Sequence, residues 1–255
     1  MTSQRPGAII VGASSGIGAA LAGELARRGY QLALVARREP DLQALATRLN
    51  GADASAPPVA RVYPHDVRDY DAAPALFGRI REDLGDAPLT LLVYASGALP
   101  SGDAHGWSFE EQREMIETNL LGAMRWLDLG AEVFARQGHG SLVGVSSVAG
   151  DRGRNGNSAY MASKSGLSVY LESLRYRLAS RGVRVVTIKP GFVATQMIAD
   201  KQPPRPLVVS AERAAREIAA VCERGPEVVY VPARWGWIMR AVRAAPTFVM
   251  KRSTF

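Results

Sequence analysis

The chain has 255 residues, enough for one α/β domain with a large core, so it needs neither disulfides nor a structural metal to hold it. Hydrophobic residues are 47% and charged residues 22%, which excludes a disordered chain, and the single cysteine, Cys222, excludes an intrachain disulfide scaffold. The net charge of +7 lies mostly in the tail, where residues 234–255 carry five basic residues and no acid; the nearly neutral body argues against a nucleic-acid-binding face.

Short apolar runs alternate with amphipathic helical patterns along the chain. The first run, Ala8–Ala13, leads into Gly12-Ala13-Ser14-Ser15-Gly16-Ile17-Gly18, which opens a helix at Ile17–Arg28. A glycine-rich turn between strand and helix lets backbone N–H groups approach a pyrophosphate, and the helix dipole favours the negative charge. The second run, Gln31–Ala36, ends in Arg37-Arg38. An acid at this place holds a ribose 2′-hydroxyl, whereas arginine matches a 2′-phosphate, so NADP(H) is expected over NAD(H). A helix at Asp41–Leu49, a strand at Val59–Tyr63, a helix at Ala72–Leu84 and a strand at Leu89–Ala95 follow.

A long helical pattern covers Phe109–Gln137, and the fifth run, Ser141–Ser146, closes at Ser146-Ser147. The next helix, Ala159–Ser180, carries Tyr160 and Lys164, which share a face at i and i+4. A lysine ammonium one turn from a phenol favours the phenolate and draws its pKa towards the working range. Ligands of open α/β sheets sit at the carboxyl ends of strands, where a hydroxyl at Ser147 can meet that tyrosine. A strand at Val183–Lys189, a helix at Ala211–Arg224 and a strand at Val228–Val231 complete the array. Seven runs, mostly apolar throughout, predict a doubly wound Rossmann-type α/β fold, with a seven-stranded, mostly parallel sheet and helices on both faces in a single domain. The assigned division is a domain at 1–233, with a Pro-rich substrate lid at 197–209, and a basic amphipathic tail at 234–255.

These motifs resemble the classical short-chain dehydrogenase/reductase family. Gly12–Gly18 matches its cofactor loop, and Ser147, Tyr160 and Lys164 match its catalytic triad in type and spacing. Asn119, in Thr118-Asn119-Leu120-Leu121-Gly122, matches the fourth member of its tetrad. Asp66-Val67 matches its adenine-contacting pair, and Pro190-Gly191-Phe192-Val193-Ala194-Thr195 matches its segment under the nicotinamide. One motif departs: where the family has Asn-Asn-Ala-Gly, this chain has Tyr94-Ala95-Ser96-Gly97, which keeps only the glycine and puts an inter-strand hydrogen bond in doubt.

The resemblance implies hydride transfer between a nicotinamide and a carbonyl or secondary alcohol. Tyr160 would be the general acid, Ser147 would hold the carbonyl oxygen, Lys164 would tune the phenol and hold the ribose, and Asn119 would position a relay water. Gly12, Ser14, Ser15, Gly16, Ile17, Gly18, Arg37, Arg38, Asp66, Val67, Gly97, Pro190, Gly191, Val193 and Thr195 would bind the cofactor together with Tyr160 and Lys164. A catalytically silent nucleotide sensor, or a subunit of a membrane complex, is the rival reading, and the intact Ser147, Tyr160 and Lys164 speak against it. Leu99, Phe192, Met197, Leu207 and Val208 suggest a lipophilic substrate, with His105 and Trp107 near its entrance. The resemblance also implies a homodimer or homotetramer, usually formed through the helices after the fourth and fifth strands, which here hold Met115, Leu120, Trp126 and Leu129, then Leu167, Tyr170, Leu171 and Leu174.

No metal site is expected, because His65, His105 and His139 lie far apart and in no ligand spacing. No leader peptide and no transmembrane run is expected, so the protein is read as cytoplasmic. In the tail, Trp235, Ile238, Met239 and Val242 form one helical stripe beside the basic residues. That leaves open a peripheral contact with the membrane inner surface, packing on the domain itself, or packing on a second subunit.

Overall fold

The computed structural model describes residues 5–51, 57–99, 108–199 and 204–252. Its elements are β1 (Gly7–Val11), α1 (Gly16–Arg27), β2 (Gln31–Ala36), α2 (Glu39–Asn50), β3 (Ala60–Pro64), α3 (Ala73–Leu84) and β4 (Leu89–Tyr94). Then come α4 (Phe109–Ile116), α5 (Gly122–Gln137), β5 (Gly140–Val145), α6 (Ser158–Leu178) and β6 (Val183–Pro190). The chain continues through β7 (Phe192–Ala194), β8 (Val208–Ser210), α7 (Ala211–Cys222), β9 (Val228–Val231), α8 (Arg234–Ala244) and α9 (Thr247–Arg252).

Seven strands form one sheet in the order β3-β2-β1-β4-β5-β6-β9, and every pairing is parallel. Parallel neighbours require crossovers, and the helices that supply them cover both faces. Along β1, Ala8 and Ile10 join one core with Leu21, Leu25, Leu42 and Ile218. Ile9 and Val11 join the other, with Trp126, Phe134, Leu167 and Leu171. This period-two division is why the strand reads as an uninterrupted apolar run.

Two features differ from the sequence expectation, and one alternative left open there is decided. The helix expected at Phe109–Gln137 is broken by a π-helical turn at Glu117–Leu121. Two three-residue strands, β7 and β8, pair with each other outside the main sheet. The tail stripe packs on the domain: Trp235 and Met239 are buried with Val148, against Phe192, Leu207 and Tyr230. Of the three alternatives for that stripe, its own domain takes it.

Residues 100–107, including His105 and Trp107, lie outside the described residues, as do residues 200–203 of the expected lid. Among the described residues no helix is long and apolar enough to cross a membrane, and no cluster of potential ligands could hold a metal ion.

Candidate active site

The expected site residues come from the carboxyl ends of β1 to β6, around the place where strand order reverses between β1 and β4. The loop after β1 requires its glycines. Gly12 has φ +95°, and a Cβ there would meet the Ser96 backbone nitrogen at 2.4 Å. A Cβ on Gly18 would come within 2.1 Å of the Gly12 carbonyl oxygen. Gly16 has φ +56° and faces the Thr195 methyl, so the loop and the segment after β7 border the same cleft.

The two arginines after β2 diverge. Arg38 donates to the hydroxyls of Ser14 at 3.1 Å and Ser15 at 2.8 Å, pairs with Asp41 at 2.9 Å and reaches Gln196 Oε1 at 3.3 Å. Arg37 turns away, to Asp66 at 3.8 Å and Glu114 at 3.6 Å. Asp66 is held mainly by Arg68 at 2.7 Å, and these hydrogen bonds and charges keep its carboxyl below the usual range. Val67 is buried against Gly122.

Tyr160 lies in the first turn of α6, where the Asn157 cap accepts from the Tyr160 backbone N–H at 2.9 Å. Burial holds the Tyr160 phenol above its usual pKa, against the lowering expected from Lys164; the Ser147 hydroxyl and the charge of Arg154 oppose this rise without reversing it. Lys164 stands behind the phenol, with Nζ 5.9 Å from the ring centroid, and donates to the Val145 carbonyl at 3.0 Å. Burial lowers its ammonium to about 8. Ser147 also accepts from the Ala149 backbone N–H at 3.1 Å, which fixes it at the end of β5.

Asn119 lies in the π turn and is fully buried. Its Oδ1 accepts from Ala98 N at 2.7 Å, and its Nδ2 donates to Ala98 O and Ser163 Oγ, both at 3.0 Å. Gly97 makes the neighbouring space: a Cβ there would lie 3.5 Å from both Asn119 Oδ1 and Lys164 Nζ. The departure at the end of β4 has a structural counterpart. Tyr94 is fully buried and its hydroxyl donates to the Thr118 carbonyl at 2.5 Å, tying β4 directly to the π turn. Gly122 leaves room for it, because a Cβ there would meet that hydroxyl at 2.7 Å.

The segment Pro190–Thr195 rests on the tail helix. A Cβ on Gly191 would run into the Trp235 indole at 1.9 Å, and the Phe192 and Trp235 rings meet edge to face at 5.5 Å. Pro190 and Val193 are buried beneath the cleft. Sequence reasoning missed Tyr94, Arg152 and Arg154 as individual residues. Arg154 lies in the loop between β5 and α6, and only the path of that loop lets its charge act on the phenol. Its signal was no stronger than that of any other arginine.

The cradle fits a dinucleotide: side-chain-free backbone at the helix N-terminus, hydroxyls and a guanidinium beside it, and a carboxylate just after β3. The family model for short chain dehydrogenase matches residues 7–206. An uncharacterized oxidoreductase of Myxococcus xanthus is 38% identical over 226 residues, 88% of this chain and 87% of that protein. A 3-oxoacyl-[acyl-carrier-protein] reductase of Bos taurus is 35% identical over 191 residues, 75% of this chain and 77% of that one. Among solved structures, a variant of an actinorhodin polyketide ketoreductase with NADPH superposes with a TM-score of 0.76 at 25% identity, covering 91% of this chain and 97% of that one.

Proposed function

Because the chain belongs to the short-chain dehydrogenase/reductase family, whose members are oxidoreductases that bind a nicotinamide cofactor, we propose that it interconverts a ketone and a secondary alcohol with NADP(H). The observation that carries this reading is the gathering of three groups: Ser147 at the end of β5, and Tyr160 and the buried Lys164 on α6, with Lys164 Nζ 5.9 Å from the Tyr160 ring centroid. When bound, the nicotinamide supplies or accepts the hydride. Tyr160 gives its proton to the carbonyl oxygen in reduction, and Ser147 donates a hydrogen bond that stabilises the charge developing there. Lys164 would turn to the nicotinamide ribose, and its positive charge favours the phenolate left after proton transfer. Asn119 would connect Lys164 to a relay of protons; its bonds to Ala98 and Ser163 hold it in place.

Gly12, Gly16, Ile17 and Gly18 would cradle the pyrophosphate at the start of α1. Arg38, lying on Ser14 and Ser15, is the better placed of the two arginines for a 2′-phosphate. Asp66 and Val67 would flank the adenine, and Gly97, Pro190, Gly191, Val193 and Thr195 would border the nicotinamide half. Phe192, Leu207 and Val208 give the substrate side an apolar wall, which supports a lipophilic ketone. The ketoreductases among its relatives support the reductive direction. We read the protein as a cytoplasmic homo-oligomer; with its inner face spent on the fold, the tail keeps only its outer face for a membrane.

The test is a panel of ketones, from small polar to long-chain and polycyclic, with NADPH and NADH. The wild type should oxidise NADPH only when a ketone is present. Tyr160→Phe should lose about a hundredfold or more in turnover and still bind NADPH. Arg38→Asp should narrow the NADPH preference by about tenfold or more, through lost charge-assisted bonds and like-charge repulsion, and more than Arg37→Asp does. Near-normal turnover by Tyr160→Phe, or ketone-independent behaviour of the wild type as a pure nucleotide binder, would overturn the enzymatic reading. A wild type that prefers NADH would overturn the cofactor reading.

A further inference from the structure

The helix α8 has two faces that do different things. Its inner face is occupied: Trp235, Ile238, Met239 and Val242 pack on Val148, Phe192 and Leu207. Its outer face carries Arg234, Trp237 and Arg240 at successive intervals of three residues, all exposed. Trp237 is 74% exposed, with the Arg240 guanidinium 5.8 Å from its ring centroid. The following helix adds Phe248, 64% exposed, and Val249, 42% exposed, beside the exposed Lys251 and Arg252. No acidic residue occurs between Arg234 and Arg252.

We propose that the outer face of α8 and α9 is a docking surface for an anionic lipid bilayer. Tryptophan is favoured at headgroup depth, where its ring is apolar and its N–H is wet. Arginine stems can lie along such a surface while their guanidinium groups reach lipid phosphates. A two-fold contact between copies of this chain through the same face is disfavoured, because it would set Arg234 and Arg240 against their equivalents with no acid from either helix between them. A bilayer bearing negative charge supplies what the face lacks. The inner side of the same helix supports Phe192 and Leu207, so docking would bring the apolar wall of the candidate site close to the lipid surface.

The experiment is co-sedimentation of the full chain with phosphatidylcholine vesicles, with and without phosphatidylglycerol, at low and high salt. The variants are Trp237→Ser and the double charge reversal Arg234→Glu/Arg240→Glu, all on exposed positions, with melting temperature as the check on folding. The wild type should bind only the anionic vesicles and be released by salt. Charge reversal should weaken binding by about tenfold or more. Trp237→Ser should weaken it as well while leaving the oligomer unchanged. The proposal is overturned if the wild type stays in the supernatant, or if the charge-reversed protein binds as the wild type does. It is also overturned if Trp237→Ser dissociates the oligomer without changing vesicle binding, which would make the face a subunit contact.

Discussion

Lys164 holds a charge where the fold pays most for it. Its side chain is 3% exposed and donates to the Val145 carbonyl, and among the described residues no carboxylate pairs with it. Burial takes the ammonium from 10.5 in the open chain to about 8 in the folded one. A folded pKa below the unfolded one means that the unfolded chain binds the proton more tightly. The penalty is therefore full below pH 8, and stability from this group rises as pH increases from about 8 towards 10.5. The shift corresponds to about 3 kcal/mol. Lys164→Met should then melt no lower than the wild type at pH 7, lose the stability gain across that alkaline window, and have almost no turnover. Melting curves against pH, beside initial rates, check this; a Met variant that melts well below the wild type at pH 7 would refute it. The i to i+4 spacing of Tyr160 and Lys164 was legible in the sequence, but the buried carbonyl was not, because β5 supplies it. Arg37 and Arg38 were equally legible and equally ambiguous. Consecutive residues at a strand end point apart, and only the path of the chain shows that Arg38 lies on the glycine-rich loop and Arg37 on Asp66.

Two consecutive residues anchor the loop between Ser147 and Tyr160, one on the tail helix and one on the strands β6 and β9. Arg152 donates to the carbonyls of Val242, Arg243 and Ala245, at 2.6, 3.0 and 2.5 Å, and so caps the last turn of α8. Asp151, one residue earlier, accepts from Lys189 at 2.5 Å and Tyr230 at 2.7 Å. A cationic side chain on the carbonyl end of a helix also meets its dipole favourably. Arg152→Ala should cost about 1–3 kcal/mol of stability and raise the ketone KM more than it lowers kcat, since the loop would lose its anchor while Tyr160 keeps its Asn157 cap. Thermal melts and steady-state kinetics check it, and unchanged KM with normal stability would show that the loop stands without the tail. At this scale the long apolar strands and the helices with clear periodicity were legible. The strands β7 and β8 were not, because three residues are too few to show a period. The π turn was not legible either: Glu117–Leu121 contains no glycine or proline, and the apolar pattern runs on through it. What sets it apart is tertiary, the buried Tyr94 hydroxyl on the Thr118 carbonyl.

For the whole molecule, the helices that follow β4 and β5 are where the contact between copies is expected. Of the residues expected to form that contact, Met115, Trp126, Leu167, Leu171 and Leu174 are buried in the chain's own core. The surplus lies elsewhere on the same helices: Phe109 on α4, Leu121 at the π turn, and Val169 and Tyr176 on α6, which are 69%, 41%, 62% and 70% exposed. Between Val169 and Tyr176 lie two helical turns, so both lie on one outer stripe of α6. Paired with the same stripe of a second copy, related by a two-fold axis, these residues would be covered without any opposite surface being required. A stable contact of this kind buries about 1,200–2,000 Å² in total. Light scattering across a wide concentration range should therefore give a dimer or tetramer for the wild type. Val169→Glu, which places a charge at the centre of the stripe without touching the core, should shift the mass towards the monomer while leaving the melting behaviour of the isolated fold recognisable. A wild-type protein that is monomeric at every concentration would remove the helical interface and leave the exposed stripe unexplained.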